Sequence, residues 1–184
     1  MRIIAGECRG RRLKTLRGRE VRPSSDKLRE TLFNILRAEV PDSVFIDCYA
    51  GSGAVGLEAS SRGAAQVFLI EQDAAAIRVM EQNITGLGLG GRARIVQADV
   101  KAGLRKLDTE GVCADICFLD PPYALLPAAL RNLSWLCNSS LMHPEGIIIL
   151  EHSRKDGSPE QLGGWHRGRF LTQGSSALSF YRIE

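Results

Sequence analysis

The chain has 184 residues, enough for one domain with a sizeable core, and no apolar run approaches the roughly 20 residues that cross a bilayer. Its net charge of +3 comes from 24 basic and 21 acidic residues. This composition is that of an ordinary globular protein and excludes a membrane-spanning one. The five cysteines are odd in number and lack paired metal-ligand spacing, which predicts reduced thiols, no metal and a cytoplasmic location.

The first 22 residues concentrate the positive charge, because they hold eight arginines or lysines against two glutamates. Apolar pairs such as Ile3-Ile4 alternate there with arginines and with turn-forming glycines. We therefore predict a basic β-hairpin or arm over residues 1–22 and a main domain over residues 23–184. A solvated basic face is the alternative to a nucleic-acid partner. The residues expected to bind RNA phosphates are Arg2, Arg9, Arg11, Arg12, Lys14 and Arg22.

After Pro23, apolar residues at helical spacing predict an amphipathic helix that Pro41 ends. From residue 43, apolar runs alternate with helical stretches. Strands are predicted at 44–47, 67–71, 93–98, 116–120 and 147–151, and helices near 54–62, 73–85, 100–107 and 125–138. Two alternating runs, 166–173 and 177–183, predict a terminal antiparallel hairpin. The pattern indicates a doubly wound α/β fold with a mostly parallel, seven-stranded sheet.

A glycine-rich loop follows the first predicted strand, with Gly51, Gly53 and Gly56 at its turns. Glycines let the backbone pass close beneath a ligand at the start of a helix. The spacing also fits a dinucleotide fingerprint, so an NAD-dependent oxidoreductase stays an alternative. Asp47 would repel a pyrophosphate and attract the ammonium group of S-adenosylmethionine, which favours the second ligand.

Acidic residues also end the next two predicted strands. Glu71 can accept hydrogen bonds from ribose hydroxyls. It ends an otherwise apolar strand, where an acidic side chain is costly without a partner, and this favours a ligand-binding role. Asp99 can accept from an adenine amine, although a helix N-cap explains it equally well. The residues expected to bind the cofactor are Asp47, Ala50, Gly51, Ser52, Gly53, Glu71, Gln72, Asp99, Val100 and Asp120.

The strand predicted to end at Asp120 is followed at once by Pro121, Pro122 and Tyr123. The prolines prevent both a longer strand and an immediate helix, so they hold a carboxylate and an aromatic ring together. That edge of an open α/β sheet is where ligands bind. An acceptor beside a stacking surface suits a planar substrate with an N–H donor, such as a nucleobase. We expect Asp120, Pro121, Pro122 and Tyr123 to be the catalytic residues.

These motifs resemble those of the class I S-adenosylmethionine-dependent methyltransferases. Residues 120–123 resemble the motif of members that methylate planar amino groups, which reads Asn, Asp or Ser, then Pro-Pro, then Tyr or Phe. A narrower resemblance is to the RsmD-type bacterial 16S rRNA guanine-N2 methyltransferase family. It rests on Arg2-Ile3-Ile4-Ala5-Gly6, Arg9-Gly10-Arg11, Arg22-Pro23, Arg29-Glu30, Phe33-Asn34-Ile35-Leu36, Gly51-Ser52-Gly53, Gly56-Leu57-Glu58-Ala59 and Ser61-Arg62-Gly63-Ala64. Ser24 and Cys48 depart from the family's usual threonine and aliphatic residue.

The resemblance implies methyl transfer from S-adenosylmethionine to the exocyclic N2 amine of a guanine in small-subunit rRNA, with S-adenosylhomocysteine as product. It also implies action on a 30S assembly intermediate, and we expect the protein to be a monomer. Asp120 and the Pro121 carbonyl would orient the guanine edge, and Tyr123 would stack on the base. Other readings are an amino-methyltransferase for adenine N6 in DNA or for a protein glutamine amide, and a non-catalytic RNA-binding factor. The basic arm favours nucleic acid over protein.

Overall fold

The computed structural model describes residues 1–16 and 23–183. Its elements, in chain order, are α1 (Pro23–Ile35), β1 (Val44–Cys48), α2 (Ala54–Ser61), β2 (Gln66–Glu71), α3 (Ala74–Leu87), β3 (Ala93–Gln97), α4 (Val100–Thr109), β4 (Ala114–Leu119), a 3-10 turn (Tyr123–Leu125), α5 (Leu126–Leu136), β5 (Met142–Ser153), β6 (Gln161–Leu162), β7 (Trp165–Gln173) and β8 (Ser176–Ile183). Among these elements, no helix is both long and apolar enough to traverse a bilayer.

The strands form one sheet in the order β3-β2-β1-β4-β5-β8-β7-β6. Strands β1 to β5 pair in parallel, while β8 joins β5 in the antiparallel sense and β7 and β6 follow it. This confirms the mixed α/β fold with a terminal antiparallel hairpin. The described sheet has eight strands instead of the seven expected, because β6 adds two residues at its edge.

Helices cover both faces of the sheet. On one face, α1, α2 and α3 pack against alternate strand side chains such as Phe45 and Leu69. On the other face, α4 and α5 pack against Ile46, Phe68 and Ile70. Successive residues of a strand point to opposite faces of the sheet. Because helices cover both faces, both sets of side chains are buried, and the strands are therefore continuous apolar runs without polar alternation.

The N-terminal segment forms a hairpin on the α1–α3 face. The Ile3 N–H donates to the Arg11 carbonyl and the Gly10 N–H to the Ile3 carbonyl, both at 2.9 Å. Ile3, together with Cys8 and Leu13, is buried in the same core cluster as the three helices. The described part of the basic segment is therefore an ordered hairpin that packs on the main domain. The predicted boundary after residue 22 lies outside the described residues.

The parallel strands bring the predicted site residues to one edge. Glu71 ends β2, Asp47 lies one residue before the end of β1, and Asp120 directly follows β4. Leu119 of β4 is paired with Leu150 of β5, so the next residues, Asp120 and Glu151, are neighbours across the two strands. The carboxyl ends of parallel strands all open onto this edge, which is where a ligand site is expected.

Candidate active site

A cavity of about 1280 Å³ opens at this edge of the sheet. All four predicted catalytic residues line it. So do most of the predicted cofactor residues, namely Asp47, Ala50, Gly51, Ser52, Glu71, Gln72, Asp99 and Val100. The glycine loop and the Asp-Pro-Pro-Tyr segment (residues 120–123) therefore border one cavity, which is the arrangement that a transfer reaction between two bound molecules requires.

The Asp-Pro-Pro-Tyr segment turns sharply at the cavity wall. Pro121 is buried, and Pro122 has extended backbone angles of φ −51° and ψ 142°. A short turn follows, closed by the Leu125 N–H, which donates to the Pro122 carbonyl at 2.7 Å. Tyr123 is 55% exposed, an unusual position for a large aromatic side chain. The turn thus presents an accessible ring beside Asp120.

The carboxyl group of Asp120 faces the cavity, yet surrounding protein desolvates it and raises its pKa to about 6. Its neighbour Glu151 is half-buried and also lines the cavity. Burial raises the pKa of Glu151 to about 8, with a further contribution from the Asp120 charge. Two acidic groups therefore share this end of the cavity, where deprotonation of one disfavours deprotonation of the other.

Asp47 lies beneath the glycine loop. Its Oδ2 accepts from the Gly56 N–H at 2.8 Å, which ties β1 to the first turn of α2. The pKa of Asp47 is raised to about 8, mainly by burial and also by the charges of Asp120 and Glu71, against the lowering effect of the Gly56 hydrogen bond. Gly56 has no room for a side chain, because a Cβ there would lie 2.4 Å from Leu69 Cδ2. The close approach of helix and strand explains this glycine.

Glu71 holds the backbone of the glycine loop. Its Oε2 accepts from the Gly51 N–H, and its Oε1 accepts from the Gln72 and Asp73 N–H groups, all at 2.8 Å. A carboxylate that lines the cavity and is oriented by three backbone donors is well placed to accept from hydroxyl groups of a ligand. A ribose contact for Glu71 remains a prediction.

The side chain of Asp99 caps α4, because its Oδ1 accepts from the Ala102 N–H at 2.9 Å. The N-cap role that the sequence left open is thus present. The residue also lines the cavity, so a contact with an adenine amine stays a prediction alongside the N-cap role.

Gly53, unlike the other residues predicted to bind the cofactor, is not part of the cavity wall. It is the N-cap of α2 with φ 80° and is buried.

The five described residues predicted to bind RNA, Arg2, Arg9, Arg11, Arg12 and Lys14, are exposed on the hairpin and lie outside the cavity wall. Arg11 donates to the carbonyls of Gly86 and Leu87 at the end of α3, so part of its role is structural. Lys14 Nζ donates to Gln82 Oε1 at 2.9 Å. Arg22 lies outside the described residues. Phosphate binding by this set stays a prediction.

One buried asparagine joins the hairpin to the glycine loop. Asn83 Oδ1 accepts from the Lys14 N–H at 2.8 Å, and its Nδ2 donates to the carbonyls of Lys14 and Ser52, both at 3.0 Å. The hairpin and the cavity are therefore mechanically connected. Met1, Thr15 and Leu16 also line the cavity on the hairpin side.

Several cavity residues were not predicted from the sequence. Tyr49 has a left-handed φ of 63°, and its hydroxyl accepts from Asn132 Nδ2 at 3.5 Å. Arg29 of α1 is only 4% exposed and reaches the cavity from the hairpin side. Trp135 is half-buried, packs against the core on the α4–α5 face of the sheet and also lines the cavity. The sequence could have predicted Tyr49 as a cavity residue, because it lies in the glycine loop between Asp47 and Gly51.

The sequence and the fold both resemble those of known proteins. The family model described as Conserved hypothetical protein 95 matches residues 1–182. The chain is 36% identical over 189 residues to "Ribosomal RNA small subunit methyltransferase D" of Escherichia coli strain K12, covering 100% of this chain and 90% of that relative. The solved structure of the Escherichia coli protein yhhF has a TM-score of 0.86 and 33% identity, covering 100% and 98% of the two chains. SMU.776 complexed with SAH, at 11% identity and a TM-score of 0.70, shares the fold over 87% of this chain and 49% of its own.

Proposed function

The chain belongs to the Conserved hypothetical protein 95 family, and on that premise we propose that it methylates the exocyclic N2 amine of a guanine in small-subunit rRNA, with S-adenosylmethionine as the methyl donor. The observation that carries this proposal is that the Asp-Pro-Pro-Tyr segment and the glycine loop line one cavity. The relative named as an rRNA small subunit methyltransferase supports the choice of substrate. We place the protein in the cytoplasm, as a monomer that acts on a 30S assembly intermediate.

The residues of the cavity fit S-adenosylmethionine better than NAD. The acidic side chains that line it, when ionised, would repel the two negative charges of a pyrophosphate; they are Asp47, Glu71, Asp73, Asp99, Asp120 and Glu151. Asp47 can instead face a cationic ammonium group, and Glu71 can accept from ribose hydroxyls. SAH bound to a structural neighbour of the same fold supports this choice.

S-adenosylmethionine, when bound, supplies an electrophilic methyl group on a sulfonium. The chain's own residues must then hold the target amine in line with it. Asp120 and the Pro121 carbonyl are acceptors, so they match the N1–H and N2–H donors of guanine and favour rehybridisation of the amine. Tyr123 gives the extruded base a stacking surface. The Asp120 carboxylate or water takes the proton that leaves the amine.

Cofactor binding should release a proton from Asp47. With a pKa of about 8, this carboxyl is mostly protonated at pH 7 in the free protein. An ammonium group beside it favours the charged form, so binding lowers its pKa and releases up to about one proton per site. Titration calorimetry with S-adenosylhomocysteine at pH 7, in two buffers of different ionisation enthalpy, measures this number.

Asp47→Asn keeps an acceptor for the Gly56 N–H but cannot ionise, so the buffer dependence should disappear and the affinity should fall. Glu151→Gln, at another cavity carboxyl group whose pKa is raised to about 8, is the matched control and should keep the proton release. A wild-type heat that is the same in both buffers would contradict the role given to Asp47.

Removing charge from the hairpin should weaken RNA binding. Deleting the segment is a poor test, because Ile3, Cys8 and Leu13 belong to the core. Arg9 and Arg12 are exposed, so Arg9→Gln with Arg12→Gln removes two charges without opening the core. The affinity for rRNA should fall and its salt dependence should flatten, by a slope of about 1.4 for two contacts to single-stranded RNA. An unchanged slope would count against phosphate binding by the hairpin.

The proposed function is tested with labelled S-adenosylmethionine and 30S particles that lack their native methylation. Label should appear in rRNA as N2-methylguanine at one nucleotide. Label in adenine of DNA or in a protein glutamine would assign one of the alternative substrates. Absence of transfer to any of these, with S-adenosylhomocysteine still bound, would leave a non-catalytic binding protein.

A further inference from the structure

A second group of cations lies at the cavity mouth, away from the hairpin. Lys101 and Arg105 of α4 and Arg131 of α5 are exposed, and all three line the cavity. We refer to these three residues as the α4–α5 rim. Because α4 and α5 pack on one face of the sheet and the hairpin on the other, the rim and the hairpin flank the cavity from opposite faces.

The rim cations lack acidic partners among the residues that the structure describes. Two arginines elsewhere on the surface do have such partners: Arg94 binds Glu110 at 2.7 Å, and Arg182 binds Glu39 at 2.8 Å. No such ion pair in residues 1–16 and 23–183 includes Lys101, Arg105 or Arg131. Lys101 and Arg105 are also four residues apart on one helix, where like charges repel each other. An anionic partner would remove this repulsion.

The cofactor does not supply that anion. Lys101 and Arg105 follow Asp99 on α4, at the end of the cavity where we expect adenine, which carries no negative charge. Tyr123, the proposed stacking surface for the base, lines the same cavity and is exposed. A strand that delivers its base to Tyr123 must lay its neighbouring phosphates along the cavity mouth.

We propose that the α4–α5 rim binds backbone phosphates on one flank of the target nucleotide, while the hairpin binds the other flank. This inference rests on the proposed function for its substrate. The guanidinium groups of Arg105 and Arg131 match phosphate in planar, two-point geometry, and Lys101 adds a mobile point charge. The RNA strand then crosses the cavity from one sheet face to the other, with the target base between two basic surfaces.

The test is a triple variant, Lys101→Gln, Arg105→Gln and Arg131→Gln. Its charge-matched control is Arg78→Gln, Lys106→Gln and Lys155→Gln, three exposed residues that lie outside the cavity wall. Both variants are titrated with an rRNA fragment over a range of salt, and with S-adenosylhomocysteine as a check on folding. The rim variant should lose on the order of tenfold or more in RNA affinity, with the salt slope smaller by up to about 2.

Each outcome decides the inference. It is supported if the rim variant alone loses RNA affinity and salt dependence while its affinity for S-adenosylhomocysteine stays that of the wild type. It is overturned if the rim and control variants lose equally, which would indicate a nonspecific charge effect, or if S-adenosylhomocysteine affinity falls and RNA affinity does not. Failure of the wild type to methylate 30S particles would refute the proposed function without deciding the role of the rim, because the rim is tested by the RNA affinity of its variants and not by methyl transfer.

Discussion

Asp120→Ala should lower methyl transfer by at least about 100-fold and leave S-adenosylhomocysteine affinity within a few fold of the wild type. Asp120 follows β4 directly and faces the cavity beside Tyr123, so its loss removes the acceptor that orients the amine. The cofactor's other expected contacts, at Asp47 and Glu71, remain. The measurement is single-turnover transfer to 30S particles, together with calorimetry of the same protein.

The same substitution has a second readout inside the cavity. The charge of Asp120 is one cause of the raised pKa of Asp47 and of Glu151, so both pKa values should fall in Asp120→Ala. The proton release from Asp47 on cofactor binding should then decrease at pH 7. Asp156→Ala, at an exposed aspartate in a turn, is the control and should change neither property. Turnover near the wild-type rate would remove Asp120 from the mechanism.

Much of the fold could be predicted because the strands are short apolar runs that end at an acidic or polar residue. β1, β2 and β4 lie within two residues of their predicted bounds. β5 is the exception, since it begins at Met142 and not at 147. His143, Pro144 and Glu145 interrupt its apolar pattern, and Met142 pairs with Ala114 before an irregularity in the ladder. Pairing with a neighbouring strand is not visible in local sequence.

The meeting of Asp47, Glu71 and Asp120 at one cavity followed from topology alone, because each comes at the carboxyl end of a parallel strand. The sequence could not show which residues from distant parts of the chain line the cavity or support its loops. Arg29 reaches the cavity from α1, and Asn83 of α3 joins the hairpin to the glycine loop. Such contacts depend on how separate helices pack on the sheet, and no spacing rule encodes them.

Glu58 of α2 is the clearest case of a residue whose role needed the structure. It is 0% exposed, and its carboxylate accepts from the Ile4 N–H at 2.8 Å, the Ala5 N–H at 3.0 Å and Arg62 Nε at 2.7 Å. Arg29 Nε lies 3.8 Å away, and Arg29 Nη2 donates to the Arg2 carbonyl at 2.6 Å. One buried anion thus fixes the hairpin to two helices.

Glu58→Ala should therefore destabilise the protein by about 3–5 kcal/mol, since it leaves two hairpin N–H groups and Arg62 Nε without their acceptor and removes the negative charge beside the buried Arg29. The loss should exceed that of Glu110→Ala, whose carboxylate forms an exposed pair with Arg94, because solvent replaces an exposed partner. Urea unfolding of both variants measures the difference. Equal losses would contradict the anchoring role.

The hairpin should loosen before the rest of the domain unfolds, because the broken contacts are its own. Cys8, now 4% exposed, reports this through its reaction with a thiol reagent, in a Cys113→Ser background that removes the exposed cysteine. Glu58→Ala should speed the modification of Cys8, and Glu110→Ala should not. Since the hairpin carries Arg9 and Arg12 and contacts the glycine loop through Asn83, the same variant should lose RNA affinity before it loses cofactor affinity.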